Sequence, residues 1–255
     1  MENIETGVLL PGAEPFSDSN INQTWKAHVR TDTATTVVYA KLINPREICI
    51  EAFCAILGRQ LGLPIPKPFL ILADSDSLPI IPVGEYALMF GSEDANFPSF
   101  RRYANCQQSY ARLQNFKATL DVGAFDEWIA NHDRNIGNIL YDGGNEFLFI
   151  DHGLAIPAGL NPLLPAKDNN IIRALFSIKS DFEKFKDLRT TSQDITPAYR
   201  LLKLDDVMGL TRSSEYLSEN ETKNVVDFLN NRLSVIDSLI KCRLGISQGD
   251  MFNGF

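Results

Sequence analysis

The stretch ILYDGGNEFLFID, residues 139–151, constrains the fold of this chain more than any other. Two apolar runs flank a turn at Asp142 to Asn145, where Gly143 and Gly144 accept the positive φ that a two-residue primed hairpin turn demands. Pairing Asp142 with Asn145 puts Asn138 opposite Phe149 and Asp151 opposite Ile136. Asn138 and Asp151 then become diagonal neighbours, about 7–8 Å apart at their α-carbons, with both oxygen-bearing side chains at the open end of the hairpin. One divalent cation can take ligands from both, since magnesium needs few protein oxygens when phosphate and water complete its octahedron. Asp133, five residues before Asn138 and just past a predicted helix, reaches the same mouth. A metal-free carboxylate beside a metal-bound phosphate is what phosphoryl transfer uses to orient an attacking hydroxyl. Each of the three residues alone is explained by the turn preference of Asp and Asn; their shared position is what joins them.

The segments around this hairpin predict an α+β chain in two lobes. Residues 23–30 and 35–43 read as an antiparallel β-hairpin, and 69–72 and 85–90 as two further strands. Between them, residues 44–62 carry a full set of helix signals: Asn44 as N-cap, Pro45 at the first helical position, Glu47 in the third, and Gly62 at the end. After Gly91 the pattern turns helical, at 107–120 and 122–130. A long final helix is opened by the SENE capping box at Ser218 and carries Val225, Val226, Leu229, Leu233, Ile236 and Ile240 on one face. The expected division is a β-rich lobe over residues 1–90 and a mainly helical lobe over 91–255, with a ligand site at their junction.

Composition narrows the partners. The chain has 24 basic and 32 acidic side chains for a net charge of −8, without a Lys/Arg block, so nucleic acid is a poor partner. Cys49, Cys54, Cys106 and Cys242 have neither metal-ligand nor framework spacing, and read as reduced thiols. With no secretory or membrane-spanning pattern, the expectation is a soluble cytoplasmic protein.

DRNIGN followed by FIDHG resembles the DRxxxN and IDxG signatures of lipid kinases and HipA-like kinases, and EAFCAILGRQLGLPIP resembles the helix and exit of HipA-like proteins. The resemblance spans roughly residues 35–155. It implies a two-lobed protein-kinase-like fold that uses ATP and Mg2+, with Asp133 as the catalytic Asp, Asn138 and Asp151 as metal ligands, Lys41 on the phosphates and Glu51 as its helix partner. The residues support the last pair separately. Lys41 shares a strand face with Val37 and Tyr39, and Glu51 lies on an apolar helical face between Ile48 and Ala55, where a carboxylate needs a partner. No GxGxxG precedes the first hairpin; Ser17, Ser19, Asn20 and Asn22 are the alternative phosphate donors, unless SDSNIN is simply a polar turn. His152 stands where the related signature has phenylalanine. Residues 86–91 are expected to connect the lobes, with backbone groups near Met89 and Phe90 meeting an adenine base.

The expected function is a Mg-dependent ATP phosphotransferase, a HipA-like serine/threonine-protein kinase of toxin or regulatory type. Its acceptor would be a protein or small-molecule hydroxyl, and an antitoxin or regulatory protein its possible partner. HipA toxins are longer than this chain, which bears on antitoxin pairing. A lipid or small-molecule kinase, an adenylyl transferase, a nucleotide-binding pseudokinase and a metal-dependent phosphohydrolase built on His132, Asp133, Asp151 and His152 are the alternatives.

Overall fold

The computed structural model describes residues 2–16 and 22–246. The first half of the chain forms β1 (Glu5–Leu9), β2 (Glu14–Pro15), β3 (Gln23–Arg30), β4 (Thr35–Leu42), α1 (Pro45–Gln60), β5 (Pro68–Asp74) and β6 (Tyr86–Glu93). The strands lie in the order β1-β5-β6-β4-β3-β2, and β1 also pairs with β3, so the sheet closes on itself. All pairings are antiparallel except β1 with β5. The strand β1 was not anticipated, because ETGVL is short and holds a glycine. Closure is what requires that glycine: a Cβ on Gly7 would stand 2.4 Å from Val29 Cγ1 and 2.9 Å from the Arg30 carbonyl. Inward residues Val29, Val38, Ala40, Phe69, Ile71 and Met89 fill the barrel with a small core of its own.

The helix α1 forms as its end signals dictate. Asn44 accepts the Glu47 backbone N–H at 2.9 Å, Pro45 opens the helix, and Gly62 follows it at φ 75°. It is buried on every side from Ile48 to Gly58, a pattern expected of a helix between two layers rather than on a surface. It packs against β5 and β6 on one side, and its apolar side chains join the core of the helical half on the other.

That half comprises a turn at Phe100–Tyr103, α2 (Gln107–Asn115), α3 (Thr119–Trp128), the hairpin β7 (Ile139–Tyr141) and β8 (Phe147–Phe149), then α4 (Asp181–Thr190), α5 (Thr196–Arg200), α6 (Leu204–Leu210), α7 (Glu219–Leu233) and α8 (Ile236–Arg243). The expected break between the first two helices falls a few residues earlier, with Phe116 extended between α2 and α3, and the expected final helix is divided: a break at Ser234 and Val235 separates α7 from α8, which lets α8 pack on α3. The capping box at Ser218 is complete. Among the described residues no helix is long and apolar enough to cross a membrane.

The hairpin register differs from expectation by one residue. Ile139 pairs with Phe149, Leu140 with Leu148 and Tyr141 with Phe147. Only Gly143 takes positive φ, and the Asp142 carboxylate accepts N–H groups from Gly144 at 2.7 Å and Glu146 at 3.0 Å, closing a longer turn. Asn138 therefore faces Ile150, whose N–H it accepts at 3.1 Å. A one-residue slip reverses the faces of a strand, so the diagonal argument for Asn138 and Asp151 does not apply.

Candidate active site

Two backbone departures bring those residues together instead. Asn138 lies in a short 3-10 turn (Ile136–Asn138) rather than in the strand, and Asp151 has φ 66°, a strained value for a non-glycine residue that re-aims its side chain. Both line a cavity of about 750 Å³ between the barrel, α1 and the hairpin. Such a volume suits a small-molecule ligand.

Lys41 is the centre of the polar end. It stands on β4 opposite Phe90 of β6, on the outward face that alternates with buried Val38 and Ala40. Its Nζ donates to Glu51 Oε1 at 2.7 Å and to Asp151 Oδ1 at 2.8 Å. Glu51 comes from α1 and is 1% exposed; its second oxygen accepts the backbone N–H of His152 at 2.8 Å. Burial alone would discharge Lys41, but the two carboxylates more than offset it and keep the ammonium charged. Burial pushes Glu51 up, with Lys41 opposing. For Asp151 burial acts upward too, yet Lys41 overrides it and holds the carboxyl at about 2. His152 is buried, and burial with the nearby Arg134 charge holds its imidazole well below the usual range, so it is neutral.

Asp133 is partly exposed and does not itself line the cavity, but it is one hydrogen bond away. Asn138 Nδ2 donates to the Asp133 carbonyl at 2.9 Å and to Asp133 Oδ2 at 3.2 Å. With its amide nitrogen committed there, Asn138 offers its amide oxygen as a ligating atom, and Asp151 retains Oδ2. This oxygen pair fits a hard cation completed by phosphate and water. Among the described residues no three His, Cys, Asp or Glu side chains are grouped so that they could hold a metal ion.

Arg134 was not anticipated as part of the site, although it lies within DRNIGN. It is 1% exposed and binds Asp126 of α3 through Nε and Nη2, both at 3.0 Å. Its Nη1 donates to the Asn138 carbonyl at 3.4 Å and also to the Ile150 carbonyl. Arg134 thus clamps the backbone of both hairpin ends that carry the candidate metal ligands. The signal was available: an arginine beside a predicted catalytic Asp, with Asp126 in the preceding apolar helix.

The connection between lobes also lies further along than expected. Phe90 lines the cavity but is bonded in the sheet to both β4 and β5, and the Met89 side chain is buried inside the barrel. A strand paired on both sides has little backbone left to meet a base. The chain crosses at residues 94–99, where the Pro98 carbonyl accepts the Tyr141 N–H at 3.0 Å. Tyr39 and Phe16, ring edge to face at 5.0 Å, stand on the barrel side of the cavity, and Leu140 and Ile150 on the hairpin side. Ser17, Ser19 and Asn20 lie outside the described residues; Phe16 and Thr24, which flank them, line the cavity.

No curated protein matches the chain significantly. Among solved structures, the crystal structure of a Helicobacter pylori proinflammatory kinase, CtkA, is similar at a TM-score of 0.56 and 13% identity, over 93% of this chain and 98% of that one. At this identity the likeness establishes the fold: a kinase fold with a β-rich amino-terminal part and a helical carboxy-terminal part. The family model described as HipA-like kinase matches residues 28–187, more than half of the chain, and covers Lys41, Glu51, Asp133, Asn138 and Asp151 together. The chain belongs to the HipA-like kinase family.

Proposed function

We propose that this protein transfers the γ-phosphoryl group of ATP, with Mg2+, to a serine or threonine hydroxyl of a protein, in a regulatory or toxin role. The observation that carries the reading is the ammonium of Lys41 shared between Glu51 and Asp151 at 2.7 and 2.8 Å, at the end of a cavity that Asn138 also lines. A lysine has three donors; two are used by these carboxylates, and the third is left for a phosphate oxygen. Asn138 and Asp151 would hold Mg2+, which when bound supplies charge neutralisation at the phosphates. Asp133 accepts the acceptor's proton as the hydroxyl oxygen bonds to phosphorus and the bond to the bridging oxygen of ADP breaks. Tyr39, Leu140 and Ile150 give the base an apolar slot. Catalysis on this scheme is positioning and electrostatics.

The test is incubation of purified protein with magnesium and ATP labelled separately at the α and γ phosphates, with Asp151→Ala as control, followed by intact mass. Incorporation of γ label with the mass of one phosphoryl group, lost in the control, is expected. Incorporation of α label would mean adenylyl transfer, binding without turnover would mean a pseudokinase, and no nucleotide binding would sink the assignment.

A further inference from the structure

We infer that Arg46 is a positioning residue for Asp151: together with Glu51 it clamps the two ends of the loop that carries this carboxylate, residues 151–156. The inference rests on the kinase reading above. Both ends of the loop are strained, since Asp151 has φ 66° and Ile156 φ 48° and neither is glycine. For a β-branched residue such as Ile156 the value is a genuine outlier, and it persists only where the surroundings over-determine it. Between the two ends the Ala155 N–H donates to the His152 carbonyl at 2.8 Å, a turn that makes the loop one unit.

The restraint comes from α1. Glu51 Oε2 accepts the His152 N–H at 2.8 Å, directly after Asp151. Arg46, in the first turn of the same helix, donates through Nη2 to the Ile156 carbonyl at 2.7 Å. The Ile156 N–H is held as well, by the Ile129 carbonyl at 2.8 Å, just past α3 and four residues before Asp133. Ile156 therefore joins α1, the loop of Asp151 and the chain that leads to Asp133. Stability alone does not account for Arg46. It stands at the amino-terminal end of a helix, where the macrodipole disfavours a cation. Among the described residues its one polar partner is the Ile156 carbonyl, so no carboxylate rewards its charge there. Because Glu51 also accepts Lys41 Nζ at 2.7 Å, the helix that fixes the phosphate-binding cation fixes the loop too. With Arg46 in place the strained loop keeps Asp151 at the cavity, its Oδ1 on Lys41 at 2.8 Å. Without that bond nothing from α1 holds the Ile156 end, and the loop relaxes.

The test compares the full chain with Arg46→Met, which keeps the stem and loses the donor, and with Arg46→Lys, which keeps a donor for a single carbonyl. Amide hydrogen exchange over residues 151–156 is measured without metal or nucleotide. Mn2+ affinity is measured by electron paramagnetic resonance with a non-hydrolysable ATP analogue, and the magnesium dependence of ATP turnover alongside. In Arg46→Met, exchange in the loop should rise about tenfold and Mn2+ affinity and kcat should each fall about 10–100-fold, with the urea midpoint little changed. Arg46→Lys should stay within about threefold of the unsubstituted chain. If Arg46→Met misfolds, Arg46→Ala serves in its place. Unchanged loop exchange, or unchanged Mn2+ affinity, in a folded variant without the donor would overturn the inference. Equal losses in the Met and Lys variants would overturn it too, by assigning the effect to the start of the helix rather than to the bond. Absence of any Asp151-dependent ATP turnover in the unsubstituted chain removes the kinase reading itself, whereas the clamp is judged by exchange, which needs neither metal nor nucleotide.

Discussion

Two clusters of three charges lie in this molecule with opposite composition. Around Lys41 one cation meets two carboxylates; around Glu127 one carboxylate meets two guanidinium groups, Arg232 at 3.0 Å and Arg243 at 2.9 Å. The surplus positive charge of the second cluster is absorbed by protein dipoles. Arg232 donates to the carbonyls of Glu127, Pro162 and Leu164, and Arg243 to that of Ala166. Glu127 and Arg232 are both fully buried, and the cluster ties α3, α7 and α8 together. The surplus negative charge of the first cluster has one peptide N–H, from His152, and its Asp151 side chain is still 36% exposed at the cavity. A buried charge must be compensated somewhere. Where backbone dipoles do it the cluster is scaffold, and where the surplus faces a cavity it suits a ligand of opposite sign.

The largest expected effect separates the two clusters by what fails. Asp151→Ala should cut γ-phosphate transfer by about a thousandfold or more while the protein stays folded, since it removes charge from the open cluster; substantial transfer by a folded variant would break the distinction. Glu127→Gln should do the reverse. It strands Arg232 without a buried counter-charge and is expected to cost about 3–5 kcal/mol in urea unfolding, with transfer per folded molecule preserved.

Arg134→Lys sharpens the comparison, because Arg134 is buried like the scaffold arginines yet grips the hairpin ends of the site. A lysine keeps the charge and loses the fork. Transfer should fall about 10–100-fold, mostly as a higher magnesium requirement; an unchanged magnesium requirement would return Arg134 to the scaffold. The smallest effect concerns pH. His152 is held neutral in the fold, so below its ordinary value of 6.5 the unfolded chain takes up a proton that the folded one does not, and stability declines as pH falls. His152→Leu should flatten that decline in melts between neutral and mildly acidic pH. The Lys41–Asp151 pair adds stability that is complete above 3.8 and disappears as pH falls through about 2, a slope that Asp151→Asn should remove.

Much of this was legible in local sequence. Both ends of α1 and the start of α7 follow from capping residues that act within three or four positions, and β3 and β4 from two β-rich runs separated by a short polar break. The pairing of Lys41 with Glu51 could be argued because a carboxylate on an apolar helical face needs a cation. The hairpin was legible as a hairpin, but its register was not: the Asp142 side chain bonds two N–H groups across the turn and adds a residue to the loop. Met89 and Phe90 read as a connecting segment because an apolar strand end looks the same whether it is paired on one side or on two.

What the amino-acid sequence determined alone was chemistry and local form: which residues carry charge, where helices begin, and that Asp133, Asn138 and Asp151 flank one turn. Tertiary structure alone decided that β1 closes the barrel at Gly7, that α1 is buried on all sides, and that Arg134 sets the hairpin ends from Asp126. It also decided which cluster of charge is sealed and which is open. The physical reason is range. Caps and turns are settled by bonds between near neighbours, whereas burial and the compensation of charge depend on residues such as Glu127 and Arg232, brought together only when the chain has folded.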